Sequence, residues 1–176
     1  MTNHYFIAIP LPDFVKEELA MWKNKVASTL GFRTWVHQND YHITLAFLGS
    51  AAQALPSLQR QLSNIRVQKF ELSLKGLKTF GVPERPRILW ADVTYPPELM
   101  SLQVEIHKTC EMTGIELEKR PYRPHITLAR RFSAENAFFP PSYVWKPLSF
   151  EVTRVVLYET HMMRIPKYEE LFVYHL

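Results

Sequence analysis

Two histidines and two threonines in this 176-residue chain stand in the same local setting: the pentapeptide His-Ile-Thr-Leu-Ala begins at His42 and again at His125. An identical internal repeat is read first as duplicated architecture. Histidine is the side chain whose ordinary pKa lies near neutrality, so two of them can hold one proton between them. The neutral ring takes a proton from a nucleophile while the imidazolium delivers one to a leaving group. The hydroxyls of Thr44 and Thr127 can each donate to an anionic oxygen beside the ring. Two such pairs suit a reaction at one anionic centre flanked by two oxygens that need opposite proton transfers, and a phosphodiester has that form.

That chemistry requires elements that bring the copies together. On a strand, successive side chains point to opposite faces, so His42 and Thr44 share one face while Ile43 and Leu45 share the other, and His125 and Thr127 split from Ile126 and Leu128 in the same way. The oily face must pack against a helix, for which the amphipathic helix of the same half is one natural candidate. A single His-x-Thr is explained well enough as a satisfied or solvent-facing pair on a half-exposed sheet. Two in equivalent places, almost half the chain apart, predict a pseudo-twofold arrangement with the function where the halves meet.

The remaining pattern alternates strands and helices. "HYFIAI" reads as a strand ended by Pro10, and Val15, Leu19, Trp22, Val26 and Leu30 follow helical spacing from Asp13 to Gly31. "YHITLAFL" is a strand ending at Gly49, 55–64 a short helix, and "FELSLKGLKTF" a third strand. The turn-rich "GVPERPR" predicts a boundary between lobes near 81–88. "ILWADVT" is then a strand, Leu99, Leu102, Ile106 and Cys110 mark a helix that stops at Gly114, and "PHITLAR" is the second motif strand. After the Pro-rich loop "AFFPPSYVWKP", "LSFEVTRVVLYET" and "ELFVYHL" predict an antiparallel hairpin that closes the sheet. The expectation is an α+β fold of two similar lobes, with antiparallel-rich sheets flanked by helices around a central cleft, occupying 1–176 as one domain.

Composition bounds the alternatives. Apolar residues make up 47% and charged residues 22%, ordinary globular usage that excludes fibrous and disordered classes. The sequence has no run of 18 apolar residues and no signal-peptide pattern, so a cytoplasmic location without a membrane is expected. Cys110, the single cysteine, lies on a helical apolar stripe and reads as a core thiol. The net charge is +4, with the basic excess in residues 1–88, which suits a polyanion or nucleotide without a dense basic run to prove one.

Other chemistries fit less well. Zinc needs three or four Cys, His or carboxylate ligands, whereas each motif offers one His and a Thr, and no His-x-His or His-Glu-x-x-His occurs. No metal and no cofactor are therefore expected. There is no Gly-x-Ser-x-Gly, and a strand interior seldom supplies the exposed geometry of a nucleophilic Ser or Thr.

"YHITLAFLG" and "RPHITLAR", with "FGVPERPRILWADV" between them, resemble the two-histidine phosphoesterases with paired His-x-Thr-x motifs, most nearly the bacterial LigT-like RNA 2′,3′-cyclic phosphodiesterases, over nearly the whole chain. The resemblance implies a two-lobed fold with a central cleft and metal-independent opening of a ribose 2′,3′-cyclic phosphate to a 2′-phosphate. Some relatives also join RNA ends in 2′,5′ linkage. It further implies that His125 is the proton acceptor that activates water, His42 the donor to the departing 3′-oxygen, and Thr44 and Thr127 the phosphate ligands. The bare sequence leaves the polarity of the pair open. Before the first motif this chain has "WVHQNDYH" where the family often has Pro-Pro.

Further candidates are Arg130, which follows the second motif and on strict alternation points away from His125; Tyr122 and Arg123, which either flank a nucleotide's path or form a solvated strand end; and Phe80 and Trp35, which either stack on a base or pack in the core. His4, His37, His107, His161 and His175 have no partner motif and read as structural or exposed. The expected partners are RNA ends or nucleotide 2′,3′-cyclic phosphates, with no obligate protein partner. A nucleotide- or RNA-binding module without chemistry, and a phosphodiesterase for a small nucleotide such as an ADP-ribose cyclic phosphate, are the alternatives.

Overall fold

The computed structural model describes residues 3–141 and 147–176. Its elements are β1 (His4–Pro10), α1 (Asp13–Val26), β2 (Phe32–Trp35), β3 (His42–Gly49), α2 (Leu55–Leu62), β4 (Phe70–Val82), β5 (Arg85–Val93), α3 (Pro97–Met112), β6 (His125–Phe132), β7 (Ser149–Val152), β8 (Arg154–Thr160) and β9 (Tyr168–His175). All strand pairs are antiparallel, in the order β7-β4-β5-β6-β3-β1-β8-β9, with β2 also paired to β6. The motif strands β3 and β6 lie side by side in the middle. From them the lobes run outward as β1, β8, β9 on one side and β5, β4, β7 on the other, which gives the expected α+β class and doubled plan.

The lobes are not the two halves of the chain, however. Residues 81–88 are the tip of the β4–β5 hairpin, paired strand ends joined by a turn at Pro83 and Glu84, and the strands pair from Leu74↔Val93 to Val82↔Arg85, so the predicted lobe boundary falls inside one lobe. Turn residues signal a reversal, and here the reversal is a hairpin within the sheet. The chain leaves that lobe at Thr153 instead. "LSFEVTRVVLYET", expected as one strand, is two: β7 pairs with β4, and β8 pairs with β1 and β9 at the other end of the sheet. Burial explains the switch. Along β7 exposure alternates, as on an edge strand, whereas Val155, Val156, Leu157 and Tyr158 are all buried, as in a strand covered on both faces. The Pro-rich loop read before it lies partly outside the described residues.

Helix packing also departs from expectation. The strand β3 is covered by α3, the helix of the other half of the chain, whose His107 Nε2 donates to the Leu45 carbonyl at 3.1 Å. The α1 face of Val15, Leu19 and Trp22 is buried, with Trp22 against Trp35 of β2 at 6.2 Å between rings. Trp35 is half-buried and packs against the core, in contact with Phe32 as well. Cys110 is a buried core thiol, and burial pushes its pKa up to about 12. Among the described residues no helix is long and apolar enough to cross a membrane.

At Gly81 the backbone has φ +105°, and a Cβ there would meet the Arg87 nitrogen at 3.0 Å. Gly81→Ala is expected to lose about 1–3 kcal/mol of stability, read as a lower urea midpoint with unchanged m-value.

Candidate active site

β3 and β6 pair through Ile43↔Ile126. These are the same position of the repeat, so a local twofold axis passes between them and the two motifs become symmetry mates. Both isoleucines are fully buried beneath the sheet. By alternation His42, Thr44, His125 and Thr127 all stand on the opposite face, and all four are partly exposed.

Each motif strand then breaks its alternation at the same residue. On β3, Ile7 faces Ala46 and Ala8 faces Thr44, so Leu45 is skipped; on β6, Leu89 faces Ala129 and Trp90 faces Thr127, so Leu128 is skipped. These are matched β-bulges. Their carbonyls are satisfied, Leu45 by His107 as above and Leu128 by the Val36 N–H at 2.9 Å. Leu45 and Ala46, like Leu128 and Ala129, are consecutive buried residues. The phase of the strand shifts by one, and the next side chains, Phe47 and Arg130, return to the polar face. Strict alternation turns Arg130 away from His125; the bulge reverses that, and the Arg130 charge disfavours protonation of both His42 and His125.

Both rings are anchored alike. His42 Nδ1 donates to the Asp40 carbonyl and His125 Nδ1 to the Arg123 carbonyl, each at 2.7 Å and two residues back. A carbonyl cannot donate, so Nδ1 carries the proton and Nε2 is left for the cleft. Nε2 of His42 lies 3.1 Å from the Thr44 hydroxyl, which donates to the neutral ring. His42 is flanked by Phe6 at 4.8 Å and Tyr168 at 5.1 Å, with Tyr158 beyond; His125 is flanked by Phe80 at 5.0 Å and Trp90 at 5.6 Å. Phe80, a candidate from the sequence, thus sits against the His125 imidazole and stacks on Trp90.

Burial among these rings lowers both imidazole pKa values. His42 falls to about 4, chiefly by desolvation, opposed by the Asp40 hydrogen bond and reinforced by the nearby His125 and Arg130 charges. His125 falls for the same leading reason, opposed by the Arg123 carbonyl, with Arg130 and Arg120 adding repulsion. The His42–His125 repulsion means that each ring lies within the other's field.

The other candidates divide. Arg123 contributes its carbonyl, while its side chain is exposed. Tyr122 packs edge-on against Tyr95 with its hydroxyl buried, and burial raises its pKa. Both line a cavity of about 750 Å³ beside β4 and β5, bordered also by Trp90 and Phe138. His37 accepts from the Asn39 N–H at the start of a short 3-10 turn, and His107 supports the Leu45 bulge. His161 sits between Glu159 and Glu169 at 3.3 and 2.9 Å, and Arg164 also pairs with Glu169. Ligand atoms of Glu159, His161 and Glu169 lie within 4.8 Å of one another, and Arg164 already pairs with Glu169. Sequence reasoning missed Phe6, Trp90, Tyr158 and Tyr168, which come from four strands with no motif to link them, and Asp40, which stands two residues before His42 as Arg123 stands before His125.

A family model described as the 2′-5′ RNA ligase superfamily matches residues 15–162. An RNA 2′,3′-cyclic phosphodiesterase of Geobacillus stearothermophilus is 38% identical over 99% of this chain, which spans 57% of that protein's length. One of the same description from Bacillus subtilis is 34% identical over 98% of this chain and 96% of its own. Among solved structures, E. coli LigT complexed with 3′-AMP superimposes with a TM-score of 0.83 at 30% identity, covering 99% of this chain and 98% of that one.

The depressed His42 pKa is also a stability effect. An unfolded histidine takes up a proton near pH 6.5, and the folded one refuses it until about pH 4. The His42 contribution is therefore complete above pH 6.5, is lost as pH falls toward 4, and amounts to at most about 3 kcal/mol. In denaturant unfolding between pH 4 and 8, His42→Gln should lose less stability on acidification than the unaltered protein.

Proposed function

Because the chain belongs to the 2′-5′ RNA ligase superfamily, we propose that its cleft hydrolyses the 2′,3′-cyclic phosphate of an RNA end or nucleotide to a 2′-phosphomonoester, through His42 and His125 and without a metal. The observation that carries this reading is the Ile43–Ile126 pairing, which puts two Nδ1-anchored imidazoles and two threonine hydroxyls on one face. The names of the relatives support the substrate class. Water attacks phosphorus as His125 Nε2 takes its proton; the bond from phosphorus to the 3′-oxygen breaks, and His42 Nε2 protonates that oxygen. Thr44, Thr127 and Arg130 hold the non-bridging oxygens, where their hydrogen bonds and charge act on the transition state.

Burial disfavours the charged form of both rings. One of them must nevertheless carry a proton, and the bound phosphodiester anion supplies the charge that raises an imidazole pKa. The depression of His42 to about 4 favours a second reading, in which the duties are exchanged, the 2′-oxygen leaves and a 3′-phosphate forms. Both polarities give the same bell-shaped dependence of kcat/KM on pH, because the product of one acid and one base fraction is symmetrical. Only the product distinguishes them.

In excess chelator the protein should convert a nucleoside 2′,3′-cyclic phosphate to a monoester, followed by phosphorus NMR, with the 2′-ester expected. His42→Ala and His125→Ala should each lower kcat by about 10² to 10⁴ while leaving the fold intact by circular dichroism. Stoichiometric binding without turnover would support a binding module instead.

The two depressed pKa values also place the maximum of kcat/KM below pH 6.5, since that ratio reports the free protein. A pH series on the same substrate checks it, and an optimum above pH 7 would contradict the free-protein electrostatics.

A further inference from the structure

The Asp40 side chain is buried, 5% exposed, in the 3-10 turn that leads into β3. Its carboxylate takes backbone N–H groups from the far end of the chain: Oδ1 accepts from Lys167 at 2.9 Å and from Tyr168 at 3.3 Å, and Oδ2 accepts from Lys167 at 3.1 Å. Its main-chain carbonyl meanwhile accepts from His42 Nδ1. One residue thus touches His42 directly and also fastens the strand whose first residue, Tyr168, lies edge-on against the His42 ring. The equivalent residue of the second motif, Arg123, offers the carbonyl alone, with its side chain in solvent.

We propose that Asp40 is a positioning residue for His42, its carbonyl fixing the ring's tautomer and its carboxylate clamping the Lys167–Tyr168 backbone so that Tyr168 closes on the ring. The inference rests on the reading of His42 as a proton carrier. Hydrogen bonds to a buried carboxylate are charge-assisted and among the stronger ones available to backbone N–H groups, and the clamp joins segments that local structure cannot hold together. Phe6 and Tyr158 bound the ring on the β1 and β8 sides; the titratable or charged groups that face it are Asp40, Tyr158, Tyr168, His125 and Arg130. The Tyr168 hydroxyl lies in the field of Arg130, so the clamp also sets one wall of the phosphate position.

The test compares Asp40→Ala with Asp40→Asn. The alanine variant keeps the carbonyl but loses all three clamp bonds, and kcat for cyclic phosphate hydrolysis should fall about 30-fold with KM within about threefold, the pattern of a misoriented catalytic group. The asparagine variant retains Oδ1 as acceptor and should recover most of the loss. Independently of turnover, titration of the nitrogen-15-labelled imidazoles by NMR should show the His42 pKa moving up toward its ordinary value in Asp40→Ala while His125 stays where it was. Unchanged kcat, a loss carried by KM, or equal shifts at both rings would overturn the proposal. Should the alanine variant not fold, Asp40→Glu displaces the carboxylate by one methylene and carries the same His42-only shift, and a native His42 titration there overturns the proposal equally. Because the NMR readout needs no substrate, a protein inactive on cyclic phosphates would contradict the proposed function, whereas equal shifts at both rings would contradict the clamp whatever the activity.

Discussion

The single backbone pairing of Ile43 with Ile126 governs the arrangement of the cleft. Both residues are the second position of the repeat, both are driven under the sheet by their apolar side chains, and their antiparallel pairing makes the flanking His and Thr of one strand the symmetry mates of those on the other. A slip of one residue at this point would send one motif's imidazole and hydroxyl to the oily face, because side-chain direction reverses at every step along a strand. Burial beneath α3 and the core makes such a slip costly. Hydrophobic packing on one side of the sheet therefore sets the polar geometry on the other.

Within this symmetrical frame the two histidines are differently housed. Matched bulges at Leu45 and Leu128 bring the following outward residue onto the cleft face, but one is Phe47 and the other Arg130. The carbonyls two residues before each histidine do the same work, yet Asp40 is buried and clamps the C-terminal hairpin while Arg123 is exposed. His42 is walled by Phe6, Tyr158 and Tyr168, and His125 by Phe80 and Trp90. A duplicated scaffold delivers two matched imidazoles and the unmatched neighbours tell them apart, as the proposed reaction with one donor and one acceptor requires.

Much of this was legible in the residues. The repeat named the four central side chains, and strand alternation put each His with its Thr on one face. Helical periodicity located α1 and α3, and Cys110 fell in the core. What escaped reading has a common cause, namely information carried between segments distant in the chain. The bulges alter phase only because β1 and β5 skip a residue, so Arg130 read as turned away. The Pro- and Gly-rich 81–88 marks a reversal but not which strands it joins, so a hairpin there is indistinguishable from a lobe boundary. The step from alternating "SFEV" to continuous "VVLY" did record the passage from an edge strand to a central one, although the two pieces read as a single strand. β2 is only four residues long, and its pairing to β6 leaves no periodic trace.

The central claim is that both imidazoles act on one phosphorus. Its most direct test is a crystal structure with a nucleoside 2′-monophosphate bound. The prediction is Nε2 of His42, Nε2 of His125 and both threonine hydroxyls each within about 3 Å of oxygens on the same phosphate. A phosphate held by one motif alone, with the other histidine beyond the reach of any of its oxygens, would contradict it.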